Sequence, residues 1–236
     1  MEKNNSKFSI SDAMKIYGGD GLVIHTCITW SVFTLIFLGL YAAIRITVAV
    51  TVGRLISPDD SEVIGGISRT NFTIFMAGVG IIGTSIIQVQ EFYKESAGGK
   101  YFRSVCGGFD TYSRMKTGQM LQCICGHALF AVLVFLADTV FNLVSSCLGV
   151  CATVFLVSLS GTAVVRLICM IKNRVAKILL LYGFSGVHSF ICACIVGETD
   201  GQFSSVHIVF LIIALISLPL VHFADLKNYR QYYWYD

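Results

Sequence analysis

The sequence predicts an all-α fold, a polytopic transmembrane helical bundle of about six spans with both termini in the cytoplasm. Three observations carry this expectation. Of 236 residues, 55% are hydrophobic and only 13% charged, with a mean hydropathy of +0.74. Soluble domains carry about 25% charged residues, so this chain has too little charge to cover a water-facing surface. Residues 117–165 run for 49 positions with one charged side chain, Asp138. A helix needs about 20 apolar residues to cross a bilayer core, so that run holds two helices. The third observation is where the basic residues fall, given below. The apolar runs are long and continuous, unlike the short alternating segments of a membrane barrel.

The 117–165 run organises the rest. Its most polar part is Asp138, Asn142, Ser145 and Ser146, which predicts a tight hairpin with helices over 120–141 and 147–170. Asp138 is then a solvated or capping residue at the hairpin tip. Residues 21–44 form a first uncharged span closed by Arg45, and 46–53 either extend it or lie at the interface. Ser57-Pro58-Asp59-Asp60 is a break. Residues 70–90 form a second span. After the hairpin come spans over 178–197 and 201–224, separated by the turn Glu198-Thr199-Asp200-Gly201.

The chain thus divides into a cytoplasmic N-terminal segment (1–20), a bundle (21–224) carrying a basic cytoplasmic loop (91–118), and an aromatic cytoplasmic tail (225–236). The N-terminal segment is polar with interleaved acids and is not expected to be a cleavable signal. With six spans, 14 of the 17 basic residues fall on the side of the termini, and only Arg45, Arg54 and Arg69 fall on the other. Basic residues in short loops stay cytoplasmic, which sets the orientation. Tyr229, Tyr232, Tyr233, Trp234 and Tyr235 follow the last span at headgroup level, as interfacial anchors do. Asn71-Phe72-Thr73 matches a glycosylation sequon but abuts the second span.

Phosphate-cradling glycine loops, paired metalloprotease histidines and nucleotide fingerprints are not found in the sequence. The nine cysteines are scattered through apolar runs without zinc-ligand spacing and read as small hydrophobes. Small residues that let membrane helices approach closely mark Gly78, Gly80, Gly83, Gly149 and Thr153 as helix-packing candidates, within the chain or in a homo-oligomer. Lys94, Lys100, Arg103, Arg114 and Lys116, with interleaved aromatics, make loop 91–118 a candidate surface for anionic lipid or RNA.

His127 and His188 each lie 11 residues inside a basic residue that marks the cytoplasmic edge. Both imidazoles are therefore roughly 16 Å deep, as a bis-histidine haem b requires. A haem-b electron-transfer subunit is the alternative to a non-enzymatic reading, and a small transporter or channel is a third. His25 and His222 lie near span ends and read as interfacial. Gly183-Phe184-Ser185-Gly186 has the GxSG form used by rhomboid-type intramembrane serine proteases. The later histidines His207 and His222 differ from Ser185 in depth by about 9 Å, too far for the proton transfer such a pair performs. Neither metal nor cofactor is expected on the leading reading.

The MEKNNSK start, four or more spans, the basic loop around Lys94 to Lys116 and the short tail together resemble the small virion membrane proteins of negeviruses and kitaviruses. That resemblance implies a non-enzymatic envelope protein. It would be made at the endoplasmic reticulum, self-associate, and contact the nucleocapsid from the cytoplasmic side.

Overall fold

The computed structural model describes residues 9–18, 22–52, 63–64, 67–68, 77–87, 108–141, 147–171, 173–200 and 202–232. Helices α1 (Ile10–Gly18) and α2 (Leu22–Val52) come first. A two-residue antiparallel ladder follows, β1 (Val63–Ile64) with β2 (Ile67–Ser68). Next are α3 (Ala77–Ile87), α4 (Gly108–Phe141), α5 (Cys147–Cys169), α6 (Arg174–Thr199) and α7 (Ser205–Tyr232).

Helices α4 to α7 each hold a stretch long and apolar enough to cross a membrane, namely Phe109–Leu136, Leu148–Cys169, Val175–Thr199 and Ser205–Asn228. The other two expected spans correspond to α2 and α3, whose apolar stretches Ile24–Leu40 and Ala77–Ile87 are shorter. Apart from that two-residue ladder, the described residues therefore form a helical, multi-pass membrane bundle, with four helices of spanning length among them. Helix is what an apolar solvent demands, because every backbone N–H and C=O in a span must be satisfied within it. The β-branched residues of α5 do not prevent it.

The hairpin ends fall where the sequence places them, at Phe141 and Cys147. Two boundaries differ and one left open is decided. Residues 108–118, expected as the end of a loop, are the first turns of α4, so Arg114 and Lys116 are helical. Helix α7 continues through Tyr232, so most of the expected tail prolongs the last span. The segment from 46, left open by the sequence, is helical as far as Val52. Asp138 belongs to the last turn of α4. Lys94, Lys100, Arg103 and the sequon lie outside the described residues.

Local signals explain several ends. Ser9 and Asp12 form a capping box: the Asp12 amide donates to Ser9 Oγ at 3.1 Å, and the Ser9 amide returns to Asp12 Oδ2 at 3.0 Å. Asn173 caps α6 by accepting from the amides of Val175 and Ala176. Asp200 ends it in the left-handed conformation at φ 49°. Ser204 precedes α7, and its amide donates to His207 Nδ1 at 3.0 Å, with the imidazole in the role a carboxylate plays in a capping box.

Helix α5 is central. Its side chains from Leu156 to Ala163 are all buried. Other helices bury only single seams: Thr26, Trp30 and Thr34 of α2, packed on α4; Leu181, His188, Cys192 and Val196 of α6 and His207, Ala214, Leu218, Val221 and Asp225 of α7, both packed on α5. The opposite faces of α6 and α7 expose Leu179, Phe190, Ile212, Leu215 and Ile216, as lipid-facing helices do.

Pairings give the directions. Thr26 meets Gln122, Trp30 meets His127, and Phe33 and Phe37 meet Phe130, so α2 runs parallel to α4. Gly80 lies against Phe37 and Gly83 against Phe33, so α3 runs antiparallel to α2. His188 meets Val157 while Leu181 clusters with Val165 and Ile168, so α6 is antiparallel to α5. His207 meets Thr153 and Asp225 meets Arg166, so α7 is parallel to α5. Helix α1 docks through Ala13 and Met14 onto Phe109, Tyr112 and Met115 of α4 and Leu226 of α7. The first and last helices therefore meet at one end of the bundle.

Candidate functional site

The two basic residues that flank the 117–165 run, Lys116 and Arg166, converge on one carboxylate. Arg166 Nη2 donates to Asp225 Oδ2 at 2.8 Å, and Lys116 Nζ lies 3.7 Å from the same oxygen. The three side chains come from α4, α5 and α7. Arg166 is 2% exposed, Asp225 12% and Lys116 17%, so Lys116 is the member nearest the surface. Its ammonium also lies 5.3 Å from the centre of the Tyr112 ring, at the distance of a cation–π contact.

His222, one turn before Asp225 on α7, joins the same cluster. Its Nε2 is 3.3 Å from Thr117 Oγ1. The Thr117 hydroxyl donates to the Ser113 carbonyl at 2.9 Å, so the imidazole is the donor in the His222–Thr117 contact. His222 Nδ1 is buried without a hydrogen-bond partner among the described residues. His222 is thus part of a polar cluster between α4 and α7, where the sequence placed an isolated interfacial histidine.

Depth matters for the energetics. Arg166 and Asp225 each lie three residues inside the end of an apolar stretch, about 5 Å along the helix axis. In a bilayer, the Arg166–Asp225 pair would lie near the limit of the hydrocarbon core. An unpaired charge there would be costly, and burial makes each partner depend on the other.

The remaining histidines are engaged at separate interfaces. His127 Nδ1 donates to the Cys123 carbonyl at 2.6 Å, and its ring lies 4.9 Å from Trp30, in the α4–α2 interface. His188 Nε2 donates to the Val157 carbonyl at 2.6 Å and its ring packs on Phe184, in the α6–α5 interface. The two imidazoles singled out by equal depth thus occupy different seams, and the structure does not bring them together as a haem pair would need. His207 has a defined neutral tautomer. It accepts at Nδ1 from the Ser204 amide and donates from Nε2 to Thr153 Oγ1 at 2.7 Å, because the Thr153 hydroxyl already donates to the Gly149 carbonyl. Ser185 donates to the Leu181 carbonyl at 2.9 Å, on a different helix from His207 and with a different partner.

The packing candidates are used within the chain. A Cβ on Gly78 would sit 2.9 Å from Ser189 Oγ, whose hydroxyl donates to the Gly78 carbonyl. A Cβ on Gly80 would meet Phe37 and Phe130 at 3.7 Å, and one on Gly83 would overlap the Phe33 ring. Gly149 is buried at the start of α5. By contrast, a Cβ on Gly39, Gly183 or Gly186 would meet nothing within 4 Å. Among the described residues, no three His, Cys, Asp or Glu side chains group as metal ligands, and Cys27, Cys125, Cys169, Cys192 and Cys194 are thiols outside any disulfide.

Sequence reasoning missed the Lys116–Arg166–Asp225–His222 cluster because it assigned these residues to a loop, a span edge, a tail and an interface. A signal was present: Lys116 and Arg166 bound the longest near-uncharged run, and Asp225 closes the last apolar run. No protein-family model matches the chain, and comparison with curated proteins and with solved structures yields no significant match.

Proposed function

We propose that this protein is a non-enzymatic structural protein of a membrane, a scaffold or virion envelope component that self-associates in the bilayer. The observation that carries this reading is how the polar side chains of the spans are used. Thr84 bonds Ser158, Ser189 the Gly78 carbonyl, His188 the Val157 carbonyl, His207 Thr153 and Arg166 Asp225. Each bond ties one helix to another, the role such groups play in membrane bundles.

In this proposal α2 and α3 also cross the bilayer, giving six spans with both termini cytoplasmic. The alternating helix directions and the 14 basic residues on the side of the termini support that topology. The resemblance to negevirus and kitavirus virion membrane proteins supports an origin at the endoplasmic reticulum or another host endomembrane. It also supports contact with a nucleocapsid through the basic segment that includes Lys94, Lys100 and Arg103. Because Gly78, Gly80, Gly83 and Thr153 are taken up inside the chain, self-association uses the outward faces of α6 and α7.

Cross-linking in native membranes tests the proposal. A ladder of homo-oligomers is expected, and a folded chain that stays monomeric at all cross-linker concentrations would remove the scaffold reading. The absorption spectrum of the purified protein tests the haem b electron carrier separately. A Soret band lost in His127→Ala and His188→Ala would put that reading first.

A further inference from the structure

We propose that His207 is an acid-sensitive latch, which fastens the start of α7 to α5 while its ring is neutral and releases it when the ring is protonated. The latch does not depend on the scaffold reading; it needs only the helices as they pack. Both ring nitrogens are engaged, and both bonds demand the same tautomer. A backbone amide can only donate, so the Ser204 N–H at 3.0 Å makes Nδ1 an acceptor. The Thr153 hydroxyl donates to the Gly149 carbonyl at 2.8 Å, so Nε2 donates to Thr153 Oγ1 at 2.7 Å. Protonation puts a hydrogen on Nδ1 and turns the Ser204 contact into two N–H groups facing each other. It also leaves a charge on a side chain only 2% exposed, where burial is costly.

The turn before α7 also holds what a second state needs. Ser204 Oγ lies 3.2 Å from the same Nδ1, and a hydroxyl oxygen accepts where an amide cannot. One residue thus offers Nδ1 a donor for its neutral form and an acceptor for its charged form. Exchanging the two turns the Ser204 amide away and uncaps α7. Ser204 and His207 stand at the N-cap and N3 positions, where a glutamate or glutamine ordinarily returns the bond. A proton has a short way in. His207 lies two residues inside the end of the stretch Ser205–Asn228, about 3 Å along the helix axis. Phe203, which stacks on its ring at 4.8 Å, is itself 64% exposed. The other titratable groups described at this end are Cys192, Cys194 and Glu198 on α6, Asp200 at its cap and Cys151 on α5. Among the described residues, none of these forms an ion pair or hydrogen bond with His207. Histidine is the side chain whose charge ordinarily changes between about pH 5 and 8. On the topology proposed above this end faces away from the cytoplasm, so the acid it reads is lumenal or external.

The test uses the full chain in phosphatidylcholine nanodiscs and reads the protection factors of the amides in the first turns of α7, with exchange rates referred to the intrinsic rate at each pH. Between about pH 7.5 and 5, which spans the ordinary range of histidine, wild-type protection should fall about five- to tenfold, the worth of one hydrogen bond. Amides in the middle of α5 should keep theirs. His207→Gln places at N3 a side chain that caps without titrating, and should hold its protection across the range. His207→Leu removes the latch outright and should give low protection that does not vary with pH. Ser204→Ala removes the oxygen that receives the protonated ring, which disfavours protonation of the closed state, and should deepen the fall. Wild-type protection that is unchanged across the range would overturn the proposal. So would a fall equal to that of the wild type in either His207→Gln or His207→Leu, since the pH effect would then belong to Glu198, Asp200 or another group.

Discussion

Replacing Asp225 by Ala should be among the most damaging single changes in the bundle. Asp225 accepts from Arg166 at 2.8 Å, and the Arg166 side chain is only 2% exposed. Removing the carboxylate leaves that guanidinium inside with its main charge partner gone. Breaking a buried pair by deleting one partner costs about 3–5 kcal/mol. Lys116, 3.7 Å away and 17% exposed, holds the same oxygen more loosely and contributes less to that loss. Lys116→Gln should accordingly cost less than about 1 kcal/mol, in the range of loose, partly exposed ion pairs. The double replacement Arg166→Met with Asp225→Leu removes both charges and fills the space, and should recover most of the stability lost in Asp225→Ala. Unfolding by sodium dodecyl sulfate in mixed micelles, followed by the fluorescence of Trp30 in the core, measures all three. An Asp225→Ala protein within about 1 kcal/mol of the wild type, or a Lys116→Gln protein as unstable as Asp225→Ala, would refute the assignment of Arg166–Asp225 as the principal pair.

Other outcomes follow from the same geometry. Gly126→Ala should destabilise by about 1–3 kcal/mol through overpacking, because its Cβ would overlap the Trp30 indole. Gly183→Ala, on an open face, should instead stabilise by up to about 1 kcal/mol from helix propensity, and the same micelle titration reads both signs. Single-cysteine reporters at Ser96 and Asn228 should be protected from an impermeant reagent outside sealed membranes, and labelling of either from outside would defeat a six-span topology with cytoplasmic ends. Asp12 has its pKa held below the usual 3.8 by its side-chain bond to Ser9, helped by the Ser9 amide. Its capping contribution is therefore complete above about pH 4 and is lost as pH falls through the lowered value. Protection factors of the α1 amides, exchange rates referred to the intrinsic rate at each pH, should fall there, and in Asp12→Ala they should be low at all pH values.

The membrane class, the hairpin with its ends at Phe141 and Cys147, and the positions of α6 and α7 follow from the sequence alone. A bilayer requires long apolar helices, and charge or turn residues mark their limits. Helix α1 was missed, because the polar segment 1–20 hid a helix whose start the Ser9–Asp12 capping pair marks. Which helix lies at the centre was not legible in the apolar pattern, since α5 and α7 are both apolar all round and lipid is as apolar as a protein core. The small residues Gly149, Thr153, Ser158, Ser160, Gly161 and Thr162 on α5 were the available hint, because they permit close approach on several sides at once. Equal depth placed His127 and His188 at one level but could not say which way either ring faced, and rotation about each helix axis sent them to different seams. The joining of Lys116, Arg166 and Asp225 was beyond sequence pattern for the same reason. Lys116 and Arg166 mark the two limits of one long run and Asp225 the end of another, and only the packing of α4 and α7 on α5 brings those three ends to one point.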